Sequence, residues 1–348
     1  MIERNRVHLI ALVALAVACG KKDDDNSEPA PEPPAAPADA AAAPAASAAD
    51  AYVAYIAAFN ERDEKALAAS FVDDAELALA DADEPLSGPA AIVQNNVDFW
   101  TALPDTRLEP QVILARGNKV AALLIGHGTH TGSMKTPAGE LAPTGSETGG
   151  YGLEIVDLND SGKITAGTQF WDVGLLLQQM QKEKAARPAI REGAKAPTIV
   201  ELPADAPPSE HVETVRASIE AFNKGDLEGA SKPYGDDAVY LDMALPADLT
   251  GKKAIAEHMA AQRKAFSDLT GEIEMMWGAG DYVVAVVRYT GTNDGTLGAQ
   301  KKPTGKKLAL TSGQMVELGA DGLIKRHWVI TNSVSFMSQL GMMPGGGN

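Results

Sequence analysis

Apolar residues recur at helical spacing where each half of the chain begins, at Tyr52, Ile56 and Phe59 and again at Val215, Ile219 and Phe222. An i, i+4, i+7 pattern of this kind buries one face of an amphipathic helix. After each, the pattern predicts a short second helix, a strand, and a further helix following Gly88 or Gly251. Long β-rich runs come next, Val120 to His127 and Tyr282 to Arg288, joined by turns containing Gly and Asn or Asp. Helices first and a sheet afterwards imply an α+β fold.

The two halves are copies of one unit. Ala58-Phe59-Asn60 reappears as Ala221-Phe222-Asn223, an offset of 163 positions. The same offset pairs Asp73-Asp74-Ala75 with Asp236-Asp237-Ala238, and Gly128-Thr129-His130-Thr131-Gly132 with Gly291-Thr292-Asn293-Asp294-Gly295. Further on the offset falls to 160, pairing Pro143-Thr144-Gly145 with Pro303-Thr304-Gly305 and Gln179-Met180 with Gln339-Leu340. The slip falls in a Gly-rich loop, where a change of length costs little. The repeat sets domains at 48–186 and 210–343. Between them, 187–209 holds scattered Pro, Ala and charge without an apolar period, and reads as a linker.

The N-terminus adds an address. Arg4 and Arg6 precede an apolar run from Leu9 to Ala18 that is too short to span a bilayer, so 1–18 is expected to be a signal peptide. The run ends in Ala-Val-Ala before Cys19, the single cysteine of the chain, which makes Cys19 the expected lipid anchor. This resembles the lipobox of bacterial lipoproteins. Gly20, rather than Asp, follows the cysteine, so the resemblance implies the cell envelope, with the outer membrane ahead of the inner. Residues 19–47 are Ala, Pro, Asp and Ser with almost no large apolar side chain, a disordered tether by composition. A net charge of −17 argues against a nucleic-acid partner.

The order of elements and the motifs Gly251-Lys-Lys-Ala-Ile255, Ser267-Asp-Leu269, Pro303-Thr-Gly-Lys306, His327-Trp328 and Gln339-Leu-Gly341 resemble the SnoaL-like polyketide cyclase family of the nuclear-transport-factor-2-like superfamily. The resemblance implies two cone-shaped domains, each a curved antiparallel sheet packed on about three helices, with an apolar pocket at the open end. Relatives often pair through their sheets, so the tandem domains are expected to pack as an intramolecular pseudo-dimer. Fold alone does not select a chemistry, because the same cone hosts cyclases, isomerases, dehydratases and domains with no reaction.

The resemblance places an acid/base Asp on the last strand, at Asp172, and a pocket-facing histidine at His130. A carboxylate in an apolar pocket can move protons beside a carbonyl once its pKa rises. Asp172 also stands where it would cap the helix beginning at Val173, and His130 where a turn residue between strands would stand. Their counterparts are Asn332 and Asn293, carboxamides that cannot exchange protons as a carboxylate does but, facing the second pocket, could still bind a ligand there, as could Asp242. Asp242 falls where ketosteroid isomerases carry a general base, and equally where an Asp ends a strand before a turn. Trp100, Phe170, Trp171 and Trp328 could line a pocket or simply fill the core. No metal-ligand spacing or phosphate-binding loop occurs, so neither a metal nor a cofactor is expected.

Two functions of different class fit these residues. One is an envelope lipoprotein that binds a small apolar molecule in one or both pockets. The other is an enzyme of cyclase or isomerase type, with Asp172 of the first domain as acid/base on a carbonyl substrate.

Overall fold

The computed structural model describes residues 47–342 apart from 81, 83, 137–138, 182–186 and 299–301. The signal peptide, Cys19 and all but the last residue of the tether lie outside the described residues.

In the first domain α1 (Ala48–Glu61) starts from a capping box between Ser47 and Asp50 and is followed by α2 (Glu64–Ala69), β1 (Phe71–Leu79) and β2 (Leu86–Ser87). Next come α3 (Gly88–Ala102), the long hairpin β3 (Arg107–Arg116) and β4 (Lys119–Thr129), and the small hairpin β5 (Met134–Thr136) and β6 (Gly139–Leu141). β7 (Glu147–Leu158), β8 (Ile164–Trp171) and α4 (Val173–Met180) complete the unit. One more strand, β9 (Thr198–Leu202), lies in the stretch expected to be a plain linker.

The second domain repeats the order: α5 (His211–Asn223), α6 (Leu227–Ser231), β10 (Tyr234–Asp242), β11 (Leu249–Thr250) and α7 (Lys252–Ala265). It ends with β12 (Thr270–Ala279), β13 (Tyr282–Thr292), β14 (Lys307–Leu318), β15 (Ile324–Ile330) and α8 (Ser333–Leu340). Each domain is a curved sheet with helices on its concave side, the cone the sequence predicts.

The first sheet runs β2-β1-β8-β7-β4-β3-β9 and the second β11-β10-β15-β14-β13-β12. Most pairs are antiparallel, but β1 with β8, β10 with β15, and β3 with β9 are parallel. The linker strand is explained by Thr198-Ile-Val-Glu-Leu202, a short β-branched run that pairs along β3 from Val112 to Arg116. Its exit is tight: Gly117, at φ +56°, takes the bond from its own N–H to the Leu202 carbonyl, and a Cβ there would stand 2.7 Å from Ala204.

Both faces of the central strands are buried. In β4, Val120, Ala122 and Leu124 point to the helices, while Ala121 and Leu123 join a second cluster with Leu153 and Phe170. That second cluster also contains Met315, Trp328, Ile330 and Val284 of the other domain. The two sheets therefore share an apolar layer, which is why β4 and β13 read as continuous apolar runs rather than alternating ones. At Gly313 a Cβ would come within 2.5 Å of the Phe170 ring, so bare backbone admits that ring from across the seam.

Candidate functional site

The concave side of the first sheet holds a cavity of about 320 Å³, near the small end of ligand pockets, which run roughly 300–1,000 Å³. Glycines open it. A Cβ at Gly126 or Gly152 would stand 2.8 or 2.4 Å from the indole of Trp171, so these bare positions let the ring lie against the sheet. Phe59, Phe99, Leu108 and Leu175 supply apolar wall.

Glu154 lines this cavity, and sequence reasoning missed it. It is 1% exposed. One carboxylate oxygen accepts from the Tyr52 hydroxyl at 2.8 Å and the other from Gln169 Nε2 at 2.7 Å. Burial pushes the carboxyl up to about 7, with the two hydrogen bonds pulling the other way. Burial also raises the Tyr52 and Tyr55 hydroxyls, and the Glu154 charge adds to it. The signal was present: an acid inside Gly152-Leu-Glu-Ile-Val156 is a polar residue in a strand apolar on both faces.

Asp172 also lines the cavity, and its two oxygens divide the two readings of this residue. Oδ1 caps α4, accepting from the Gly174 and Leu175 amides at 3.0 and 3.2 Å. The same atom accepts from the amide and hydroxyl of Ser333, at 3.0 and 2.6 Å, and so holds the start of α8 in the other domain. Oδ2 is buried without a partner. Burial raises the carboxyl above the usual range, against the pull of these four hydrogen bonds.

Of the remaining candidates the structure brings only Trp171 to the cavity wall. His130 is fully buried, with Nδ1 3.1 Å from Thr144 Oγ1 and its carbonyl accepting from the Thr144 and Gly145 amides. Burial holds its pKa below the ordinary value, and its contacts with Thr144 and Gly145 pin the chain just ahead of β7. Asn293 does the same work in the second domain: its Nδ2 donates to the Ala265 and Gly295 carbonyls, and its Oδ1 accepts from Thr304. The expectation that His130 and Asn293 face a pocket is thereby corrected: neither lines the cavity, Asn293 spends its polar atoms on the loop, and His130 binds the loop through Nδ1 and its carbonyl while its Nε2 is buried without a partner. Trp100 packs against Phe59 at 5.4 Å between ring centroids, in the core below the cavity. Phe170 and Trp328 point into the seam between the sheets, since they alternate with the cavity-facing positions of their strands.

Asn332 caps α8 through the Val334 amide. Asp242 is buried at the end of β10, where Oδ1 accepts from Ala244 and the Arg187 guanidinium donates to its carbonyl at 3.2 Å. Burial lifts its carboxyl to about 6, the Ala244 amide opposes this, and nearby Asp172 adds to the rise. Among the described residues no cluster of His, Cys, Asp or Glu is arranged to hold a metal ion.

Residues 49–180 match the family model for SnoaL-like polyketide cyclases, and residues 215–327 match a SnoaL-like domain model. The chain carries two SnoaL-like domains in tandem. Solved structures similar to one such unit include AclR of Streptomyces galilaeus, classed as a hydroxylase, at 24% identity and TM-score 0.35, covering 39% of this chain and 98% of that one. A protein classed as a SnoaL-like polyketide cyclase from Jannaschia sp. CCS1 matches at 20% identity and TM-score 0.36, covering 39% and 95%. IdmH of Streptomyces antibioticus, classed as a polyketide cyclase, matches at 25% identity and TM-score 0.34, covering 38% and 99%. No curated protein shows significant similarity to the chain.

The second SnoaL-like domain fills the space that the first leaves open. Tyr289 stands at the position of Gly126, 163 residues on, and its hydroxyl accepts from Gln314 Nε2 at 3.0 Å. Gln314 is in turn the counterpart of Glu154, at the offset of 160. His327 Nε2 lies 3.1 Å from Gln314 Oε1, and its Nδ1 lies 2.7 Å from the Tyr234 hydroxyl. Burial drives His327 down to about 3, so the ring is neutral and every link of this network is uncharged.

Proposed function

We propose that the first SnoaL-like domain binds a small, largely apolar molecule in its cavity, and that the second serves as a rigid partner without a ligand of its own. The observation that carries this reading is the cavity of about 320 Å³ in the first cone, set against a second cone in which Tyr289, Gln314 and His327 hydrogen-bond to one another. The expected address goes with it: Cys19 anchors the chain by lipid in the cell envelope, at the outer membrane, and 19–47 gives the domain pair its reach. The lone cysteine after Ala-Val-Ala supports that part.

Thermal shift of the full chain against small aromatic and alicyclic compounds tests the binding. A ligand at a hundred times its Kd adds about 2.7 kcal/mol of stability. Val173 lines the cavity and is 40% exposed, so it stands at the opening. Val173→Trp is expected to leave the fold intact and remove the ligand-induced shift. A shift that survives in this variant would put the ligand elsewhere.

Asp172, on the cavity wall with its Oδ2 buried and without a partner, favours a second reading, in which this domain moves protons on a carbonyl substrate as a cyclase or isomerase does. That reading requires a bound ketone to exchange its α-protons with deuterated solvent, and Asp172→Asn to stop exchange while binding persists. Binding without exchange in the wild type rejects it.

A further inference from the structure

The charges around the cavity carry information about what fills it. Glu154 and Asp172 both line it, 1% and 7% exposed, and neither has a cation among its partners. The partners are neutral donors: Tyr52 and Gln169 for one, backbone amides and Ser333 for the other. Of the basic side chains on the cavity wall, His127 lies 3.2 Å from Glu109, and Lys135 is exposed on β5. A buried carboxylate without a counter-charge opposes folding, because its lost hydration is not replaced.

The second domain is an internal control for whether the fold needs these charges. It puts Gln314 where the first has Glu154 and Asn332 where the first has Asp172, each the uncharged isostere. Gln314 sits in a fully hydrogen-bonded network and Asn332 still caps its helix. The cone therefore forms with carboxamides at both places. Both carboxylates occur in the domain whose cone is open, and both are absent where Tyr289 fills it. Asp172 Oδ1 serves the two helix starts, but an amide oxygen caps as well, so the acidic character at these two positions goes with the open cavity rather than with the capping.

Resting on the binding reading above, we infer that the ligand is a small apolar amine, held as its ammonium by charge pairing with the Glu154 and Asp172 carboxylates on the cavity wall. The rings of Trp171 and Phe99 on the wall suit the carbon skeleton and add attraction for a cation. A charge-assisted bond in a water-poor site is about twice as strong as a neutral one, so amines are separated from alcohols of the same shape.

Isothermal titration of the full chain with benzyl, 2-phenylethyl and cyclohexylmethyl skeletons, each as amine, alcohol and carboxylic acid, tests this. At least one skeleton is expected to bind about tenfold tighter as amine than as alcohol, the acid being weakest, which corresponds to about 1.4 kcal/mol. Glu154→Gln and Asp172→Asn, which place the second domain's carboxamides in the first, are expected to shrink that ratio toward one, with thermal melts as the check on folding. Alcohols binding as tightly as amines would overturn the amine assignment and leave the binding reading standing. An amine preference untouched in both variants would overturn the assignment of these carboxylates, and no binding by any compound would remove both conclusions.

Discussion

At the scale of single residues the most consequential group is Glu154, whose carboxyl is lifted from an ordinary 4.5 to about 7 by burial. Between those values the folded chain holds a proton that the unfolded chain has released, so stability falls as pH rises through that window and levels off above it. The loss attributable to this residue is roughly 3 kcal/mol. Asp242, lifted to about 6, adds to the slope at the lower end. Glu154→Gln is expected to flatten the profile and to be more stable than wild type at pH 8, as read from urea midpoints at pH 5 and 8. A variant that kept the whole slope would move its origin to other groups. Neither this residue nor the division of labour within Asp172 was legible in the sequence. An acid in an apolar strand announces that something must compensate it, but Tyr52 and Gln169 lie 102 and 15 residues away along the chain. The expectation for Asp172 offered cap or acid as alternatives, whereas a carboxylate has two oxygens and can present a different face to each side.

At the scale of elements, the helices and long hairpins follow the apolar periods closely, because each period reports a face that must be buried. The stretch from 187 to 209 is the exception. Its strand β9 is short and its pairing with β3 is non-local, so no period within the segment could reveal it. The start of this stretch is also fixed: Arg187 is 6% exposed and donates to the Leu245 and Asp242 carbonyls and to Asp248, at 3.1, 3.2 and 2.7 Å. Arg187→Ala strands these acceptors and is expected to cost roughly 2–3 kcal/mol, bonds to charged groups being the stronger kind. It also removes a positive charge that holds the Asp242 carboxyl down. Denaturant titration checks the first effect. A loss under about 0.5 kcal/mol, the size typical of an uninvolved surface site, would mean that the clasp contributes nothing.

For the molecule as a whole, the apolar layer between the sheets matters more than the connection between the domains. Leu123, Leu153 and Phe170 from one domain and Met315, Trp328 and Ile330 from the other are buried in a single cluster. Neither sheet can expose that face to water at small cost. Differential scanning calorimetry of the full chain is accordingly expected to show one transition, with calorimetric and van't Hoff enthalpies in agreement. Two resolved transitions would show that the domains stand independently. The continuous apolar runs of β4 and β13 already contained this layer, since a strand apolar at every position has two dry faces; the repeat alone could not say that each copy supplies the other's second face.

The Asp172 oxygen that caps both α4 and α8 bears on how a duplicated gene diverges. After duplication two copies are free to differ wherever one residue can serve both. Here one oxygen serves the starts of two helices, while position 332 carries Asn332 and the adjacent Ser333 is the donor that reaches back to its sister. The second copy is answerable to the first: exchanged or grafted alone it would keep the Asn332 cap but leave the amide and hydroxyl of Ser333 without their acceptor.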